Sequence, residues 1–293
     1  MQSPPAGAYV AVLGVAQDGG YPQAGCTRQC CRPAWEGKVA PKHVSSLAVV
    51  DPQKQRRWLI DATPDFKAQL RMLDEMAPPQ GTPDLQGIFL THAHIGHYTG
   101  LMHLGREVIG AHHVPVYAMP RMKAFLEQNG PWDLLVRLEN IRLYDLQNNI
   151  PVTLGQGLSI TPFLVPHRDE YSETVGFLIA GPHRKVAYIS DIDKWERWST
   201  RIEDLLARVD LAFLDGTFYA NGEVPGRDMS EIPHPFITES MHRFAGLPAR
   251  EKNKIYFIHL NHTNPALQPQ SEAYRTIREA GFHVAREGEK FGI

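Results

Sequence analysis

Along this chain short runs of β-branched, aromatic and aliphatic residues alternate with amphipathic stretches. The runs YVAVLGV (9–15), SSLAVVD (45–51), RRWLIDA (56–62), LQGIFLT (85–91), VPVYAM (114–119), LSITPFLVP (158–166), TVGFLIA (174–180), KVAYISD (185–191), DLAFLDG (210–216) and KIYFIHL (254–260) predict strands, the most apolar of them central. Helical spacing predicts a helix over 64–76, with Thr63 as its N-cap and Pro64 as its first residue, and others over 121–128, 195–208, 236–244 and 270–279. Strands with helices between them throughout predict an α/β protein whose sheets are covered by helices.

Several strands end on a side chain that can bind a metal. GIFLT is followed by His92 and His94, FLVP by His167 and AYIS by Asp191, while YFIHL carries His259. Residues just past a strand end sit on loops held by a rigid scaffold, where sites are commonly built. Neutral imidazole and carboxylate suit zinc, iron or manganese. His92 and His94, two apart, can point to the same side and share one ion. His97, later in LTHAHIGHYTG, faces a neighbouring position, and the two oxygens of Asp191 suit a bridge between two ions. His43, His103, His112, His113, His183, His242 and His283 lie outside this strand-end pattern and read as ordinary core or surface residues.

Composition narrows the function. With 293 residues and 43% hydrophobic content, and with no repeat or long linker, residues 1–293 read as one globular domain. A formal net charge of −2 without a like-charge run gives no footprint for nucleic acid or an acidic membrane. No apolar window is long enough for a membrane helix, and MQSPPAGAYV has neither the basic start nor the apolar core of a secretory signal, which leaves the compartment open. The expected partner is a small-molecule substrate, and a homodimer is compatible with that. No GxxxxGK[ST] loop is present, and the pair Gly19-Gly20 predicts a turn near the mouth of the site.

The three cysteines, Cys26, Cys30 and Cys31, form a second cluster. An odd number within so short a span is ill suited to a disulfide framework, whereas three thiolates and a histidine make a tetrahedral structural zinc site. Free thiols are the alternative.

THAHIGH is similar to the HxHxDH signature of the metallo-β-lactamase superfamily, and His167, Asp191 and His259 follow in the order of its other metal motifs. The resemblance spans most of the chain and implies an αββα sandwich with the metal site at one edge of two sheets. Within the superfamily VLGVAQDGGYPQAGC, FLDGTF (214–218 and the residue before) and IHLNHTNP (258–265) resemble the protein B branch of pyrroloquinoline quinone biosynthesis, and a related branch is the cyclic phosphodiesterase of phosphonate breakdown. Carried over by position, the resemblance gives a first metal His92, His94 and His167 with Asp191 bridging, and a second His97, His259 and Asp191. Gly96 stands where the family has an aspartate, so the second ion lacks a ligand that water or Asp193 could replace and that an aspartate at 96 should restore. In the phosphodiesterase branch a similar cysteine cluster takes its fourth ligand from a histidine three residues past the last active-site histidine, which is His262 here. A histidine in the region of His234, within DMSEIPHPF, donates a proton to the leaving group there.

Asp61, at the end of RRWLID, is a natural acceptor for the second N–H of a ligand histidine, and Asp215 in FLDGT is a similar candidate. A bound divalent ion makes hydroxide available at neutral pH and polarises the bond under attack. The chain therefore reads as a metal-dependent hydrolase acting on a small ester-type molecule such as a phosphodiester or lactone, with His234 and Asp191 as catalytic residues. Its expected cofactors are one structural zinc and one or two active-site zinc ions, where manganese or iron also fit. The alternatives are an oxidative enzyme of pyrroloquinoline quinone biosynthesis or a non-catalytic carrier using the same metal site.

Overall fold

Strand β1 (Tyr9–Gly14) is buried at every position, and its two faces meet different partners. Val10 and Val12 belong to a core shared with the second half of the chain, whereas Tyr9, Ala11 and Leu13 belong to a second core with Phe66, Leu73, Met122 and Leu126 from helices. Coverage on both faces is why such strands read as continuous apolar runs and not as alternating ones.

The structure, a computed structural model, describes residues 5–293. The reading of MQSPPAGAYV as unlike a secretory signal rests in part on residues 1–4, which lie outside the described residues. The first half of the chain continues with α1 (Arg32–Trp35), β2 (Ser46–Asp51), β3 (Arg56–Ile60), α2 (Phe66–Met76), β4 (Gly87–Phe89), α3 (Ile95–Tyr98), β5 (Val114–Ala118), α4 (Pro120–Gln128), α5 (Trp132–Arg137) and β6 (Ile141–Asp145). The second half supplies β7 (Val152–Gly155), β8 (Leu158–Leu164), β9 (Val175–Ala180), β10 (Lys185–Ile189), α6 (Ile202–Leu206), β11 (Leu211–Asp215), α7 (Ile237–Arg243), α8 (Ala249–Lys252), β12 (Ile255–Ile258), α9 (Glu272–Glu279), β13 (His283–Val284) and β14 (Lys290–Gly292).

Two seven-stranded sheets result, in the orders β14-β1-β2-β3-β4-β5-β6 and β13-β12-β11-β10-β9-β8-β7. They pack face to face with helices outside, the αββα sandwich expected from the sequence. Phe177, Phe213 and Phe257 lie fully buried in the core shared by the two sheets, each contributing about 1.5–3 kcal/mol by burial. No helix among the described residues is long and apolar enough to cross a membrane.

Strand direction sets the position of the site. β1 and β3 each run antiparallel to β2, and β4 runs parallel to β3, so β1, β3 and β4 point the same way. β8 and β10 each run antiparallel to β9, and β11 and β12 run parallel to β10, so these four also share a direction. Backbone bonds then splice the two sheets at those ends: Leu260 N–H donates to Val15 O at 2.8 Å, Gln17 N–H to Leu260 O at 2.9 Å, and Val175 N–H to Thr91 O at 3.1 Å. One edge of the sandwich thus collects the C-terminal ends of these strands, which is where open α/β sheets bind ligands.

Predicted and formed helices differ at several ends, and in two cases the side chains show why. The first starts at Phe66, because Thr63 Oγ1 accepts from Asp65 N–H at 3.1 Å and donates to Gln69 Oε1 at 2.7 Å, forming a turn that keeps Pro64 outside the helix. The stretch 195–208 is split into a single turn at Trp195–Arg197 and α6, since the indoles of Trp195 and Trp198 donate in different directions, to Ser240 Oγ and to Leu164 O, each at 2.9 Å.

Candidate metal centre

The loop after β4 delivers His92, His94 and His97 together. His97 follows one turn into α3, and that turn packs tightly: Ala62 N–H donates to His97 O at 2.9 Å and Gly100 N–H to Ala62 O at 2.8 Å. A Cβ on Gly100 would lie 2.1 Å from Thr63 O, so only glycine allows this approach. His97 Nδ1 then donates to the buried Asp61 Oδ2 at 2.7 Å.

Two aspartates orient the histidines in the same manner, each once directly and once through a threonine. Thr91 Oγ1 donates to Asp61 at 2.9 Å and so must accept from His92 Nδ1 at 3.0 Å. Asp215 Oδ2 accepts from His234 Nδ1 at 2.7 Å, while Thr217 Oγ1 donates to Asp215 Oδ1 at 2.7 Å and accepts from His259 Nδ1 at 3.0 Å. His167 Nδ1 faces Asp193 Oδ1 at 3.3 Å, and His94 Nε2 faces Glu170 Oε2 at 3.4 Å. With one ring nitrogen occupied in each case, the lone pair of the other is left for the site, the arrangement usual around metal-binding histidines. Asp61 and His259 adopt left-handed backbone angles, φ 65° and 63°, which cost about 1–3 kcal/mol each and are typical of functional sites.

The free donor atoms converge in two groups. His92, His94 and His167 form one, with donors within 4.8 Å of one another. His92 Nε2 and His94 Nδ1 stand 2.8 Å apart, and with the His94 proton on Nε2, toward Glu170 at 3.4 Å, two lone pairs meet there. Two lone pairs held that close call for a cation. The second group combines His97 and His259 with Asp18, which no metal motif had singled out. Asp18 Oδ1 lies 3.3 Å from His97 Nε2 and 3.9 Å from His259 Nε2, and Asp191 Oδ2 lies 3.2 and 3.3 Å from the same two nitrogens. Four donors about 2.0–2.2 Å from a tetrahedral ion stand roughly 3.3–3.6 Å apart; three of these spacings lie close to that range, and the 3.9 Å between Asp18 and His259 is wider. The same four atoms, with His167 Nε2, are buried without a hydrogen-bond partner.

Asp191 lies between the groups. Its second oxygen, Oδ1, is 3.7 Å from His167 Nε2, so each oxygen faces one group, as the expected bridge requires. Asp193, one of the groups that could have filled the gap at the second ion, pairs with His167 Nδ1 at 3.3 Å and Arg197 Nη1 at 3.0 Å on the far side of the His167 ring. It orients His167 of the first group.

Electrostatics agree with a cation site. Burial opposes charge on His97, yet Asp61, Asp191 and Asp18 outweigh it and lift its pKa well above the usual value. Burial likewise opposes charge on Asp191, but His259, His97 and His92 hold its pKa well below the carboxylate range. Burial and neighbouring imidazoles keep His92 and His94 neutral, the form that binds metal. The carboxylates therefore demand positive charge at the point where the nitrogens aim lone pairs.

His234 stands beside both donor groups. It is buried, with its ring centroid 5.1 Å from that of His167 and 6.5 Å from that of His259. Burial lowers its pKa, but Asp215 more than compensates and raises it to about 9. Asp61 and Asp215, expected as acceptors for histidine N–H groups, both act as such. Gly19 and Gly20 lie in the turn that carries Asp18, with Gly20 N–H donating to Gln17 O at 2.7 Å.

Cys26, Cys30, Cys31 and His262 form the separate cluster that was expected, their donor atoms within 4.8 Å of one another. Cys26 Sγ and Cys30 Sγ are 3.6 Å apart, far beyond a disulfide bond. Thiolates about 2.3 Å from a tetrahedral zinc stand roughly 3.7 Å apart, which matches. Burial pushes the Cys31 thiol up to about 12. Both ring nitrogens of His262 are buried without a partner. His112, His113 and Glu139 also approach one another, but all three are exposed on the surface.

Residues 56–260 match the family model of a beta-lactamase superfamily domain. Coenzyme PQQ synthesis protein B of Methylorubrum extorquens (strain PA1) is 30% identical over 312 residues, covering 96% of this chain and 98% of that protein. Its namesake in Xanthomonas oryzae pv. oryzae (strain MAFF 311018) is 28% identical over 309 residues, covering 97% and 99%. Among solved structures, Zn(2+)-bound PqqB from Methylobacterium extorquens is similar with a TM-score of 0.80 and 27% identity, covering 97% of this chain and 100% of that one. A diphosphatase of the PhnP family shares the fold, with a TM-score of 0.65, 22% identity, and coverage of 97% and 96%.

Proposed function

The chain belongs to the beta-lactamase superfamily and, within it, to the coenzyme PQQ synthesis protein B family, and from that premise we propose that it is a metal-dependent enzyme acting on a small molecule in coenzyme PQQ synthesis. The observation that carries the metal reading is the coincidence of orphaned and converging atoms: Asp18 Oδ1, His97 Nε2, Asp191 Oδ2, His259 Nε2 and His167 Nε2 are buried, lack hydrogen-bond partners and aim at shared points. His92, His94 and His167 would hold the first ion and Asp191 would bridge to a second held by His97 and His259. Zinc is supported by the donor set and by the zinc-bound relative, and manganese and iron suit the same ligands. Cys26, Cys30, Cys31 and His262 would hold a structural zinc.

Hydrolysis is the reaction class that the geometry favours. A cation bound there supplies Lewis acidity and lowers the pKa of water to about 7. The chain's own residues supply the rest. Asp61, Asp215, Thr91 and Thr217 fix the tautomers and ring angles of the histidines. Protonated His234, held through Nδ1 by Asp215, keeps its Nε2 proton to give to a leaving group. Of the histidines in the two donor groups His94 is the one partly open to solvent, and Glu170, which it faces, is exposed, as are the chain neighbours Ile95 and Tyr171. A phosphodiester or lactone is the bond type this arrangement suits.

A second reading is an oxidative step in coenzyme PQQ synthesis with iron at the same ligands, which suit that metal too. Two measurements separate the readings. Elemental analysis of protein purified without added metal should find zinc or manganese for a hydrolase and iron for an oxidase. A strain lacking its own protein B should regain coenzyme PQQ when it expresses this chain, and turnover of its accumulated intermediate by pure protein should be independent of O₂ if hydrolytic. No restored coenzyme and no turnover would refute both.

A further inference from the structure

We infer that Asp18 is a carboxylate ligand of the second cation beside Asp191, replacing from the turn after β1 the aspartate that the superfamily motif would place at residue 96. The inference rests on the reading of this edge as a cation site and adds a residue to it. Its basis is steric as well as electrostatic. A Cβ on Gly96 would lie 2.1 Å from Asp18 Oδ1, 2.9 Å from its Cγ and 2.6 Å from its Cα. The space that a side chain at 96 would need is already filled by Asp18, backbone included, so the two positions exclude each other. Gly96 is a glycine because the acid arrives from elsewhere.

The backbone brings Asp18 to this place. After β1 the chain crosses to the other sheet, where Gln17 N–H donates to Leu260 O at 2.9 Å, setting Asp18 beside His259. A tight turn follows, with Gly20 at φ 69°, and Tyr21 N–H then donates to Lys42 O at 2.9 Å. The carboxylate is therefore held by fixed backbone on both sides. Its Oδ1 is buried without a hydrogen-bond partner, 3.3 Å from His97 Nε2 and in the same donor group as His259. The cysteine cluster begins a few residues further on and closes on His262, three residues after His259, so it ties together the two segments that bring Asp18 and His259.

The expectation that an aspartate at 96 would restore a missing ligand is subject to there being room for its side chain, and Asp18 takes that room. Gly96→Asp should displace the Asp18 turn and gain no ion. Gly96→Ala, which alters no ligand, should also weaken the second ion by pushing Asp18 away. The direct test is Asp18→Asn, of equal size, with zinc stoichiometry and affinity measured by calorimetry and elemental analysis on the full chain, alongside His97→Ala. Asp18→Asn should weaken one active-site ion by about 100-fold or more and leave the first ion and the cysteine-bound zinc in place. If His97→Ala loses an ion while Asp18→Asn binds as tightly as wild type, the assignment of Asp18 fails and the cation site stands. If neither variant changes metal binding, the cation reading itself fails. Should Asp18→Asn not fold, anomalous scattering from manganese-soaked crystals of the wild-type protein decides: an ion about 2.0–2.3 Å from Asp18 Oδ1 supports the assignment, and Asp18 turned away from a bound ion overturns it.

Discussion

The carboxylate of Asp215 lies 2.7 Å from His234 Nδ1, with both side chains buried, and it raises the His234 pKa to about 9 against the effect of burial. A histidine held this way is protonated at neutral pH and has its remaining proton directed away from its partner. His234→Ala should lower kcat by roughly 10²–10⁴-fold with active-site metal retained. Because Asp215 also steadies His259 through Thr217, Asp215→Asn should lower both kcat and metal affinity. Equal metal loss in the two variants would remove the distinction between donor and support.

His92→Ala and His167→Ala should each abolish activity and release the first ion, since each removes a buried nitrogen of one three-donor group. His103→Ala should do neither. Its ring stacks on Phe66, 5.8 Å between centroids, apart from either donor group. Metal content measured after dialysis checks all three.

Cys26→Ser and His262→Ala should each remove a zinc and lower the melting temperature while the active-site ions remain. The donors stand at the spacing of a closed tetrahedral site, which leaves no position for water and so serves the fold. A Cys26→Ser protein with full zinc content and unchanged melting would sink this assignment.

Stability should fall as pH rises from about 5 to 8 through Glu223. Burial raises its pKa to about 7, against hydrogen bonds from Thr263 and the Tyr219 backbone. Between the ordinary value of 4.5 and about 7 the folded chain keeps a proton that the unfolded chain has lost, so raising the pH favours unfolding. Glu223→Gln, whose amide can still accept from Tyr219 N–H, should remove that contribution. Its melting temperature relative to wild type should increase from pH 5 to pH 8, and a difference that is flat across this range would contradict the raised pKa.

Much of the fold was legible because central strands such as β1, β2, β10 and β11 are covered on both faces and must be apolar throughout. The strands left unread, β6, β7, β13 and β14, are the edge strands of the two sheets, and β7, β13 and β14 are also short. β6, IRLYD, exposes most of its residues and presents no apolar run, and β13 has only His283 and Val284. The histidine groups were legible because each ligand follows a recognisable strand. Asp18 was not, since it stands in a turn without a neighbouring histidine, and only the pairing of Gln17 with Leu260 brings it to His259. The rule applied to the other strand ends, extended past YVAVLGV, would have found it.

The splice at Leu260 also bears on the order in which the protein can be completed during synthesis. His92, His94, His167 and Asp191 all precede β11, so the first donor group needs nothing made later. The second waits for His259, although Asp18 leaves the ribosome near the start, and the cysteines wait for His262. Strand β1 has β2 as a neighbour from early on, yet its other side stays open until Lys290–Gly292 have been synthesised. A nascent chain therefore carries an unpaired apolar strand edge and three uncapped thiols for most of translation, which makes it prone to aggregation and oxidation until its distant segments meet.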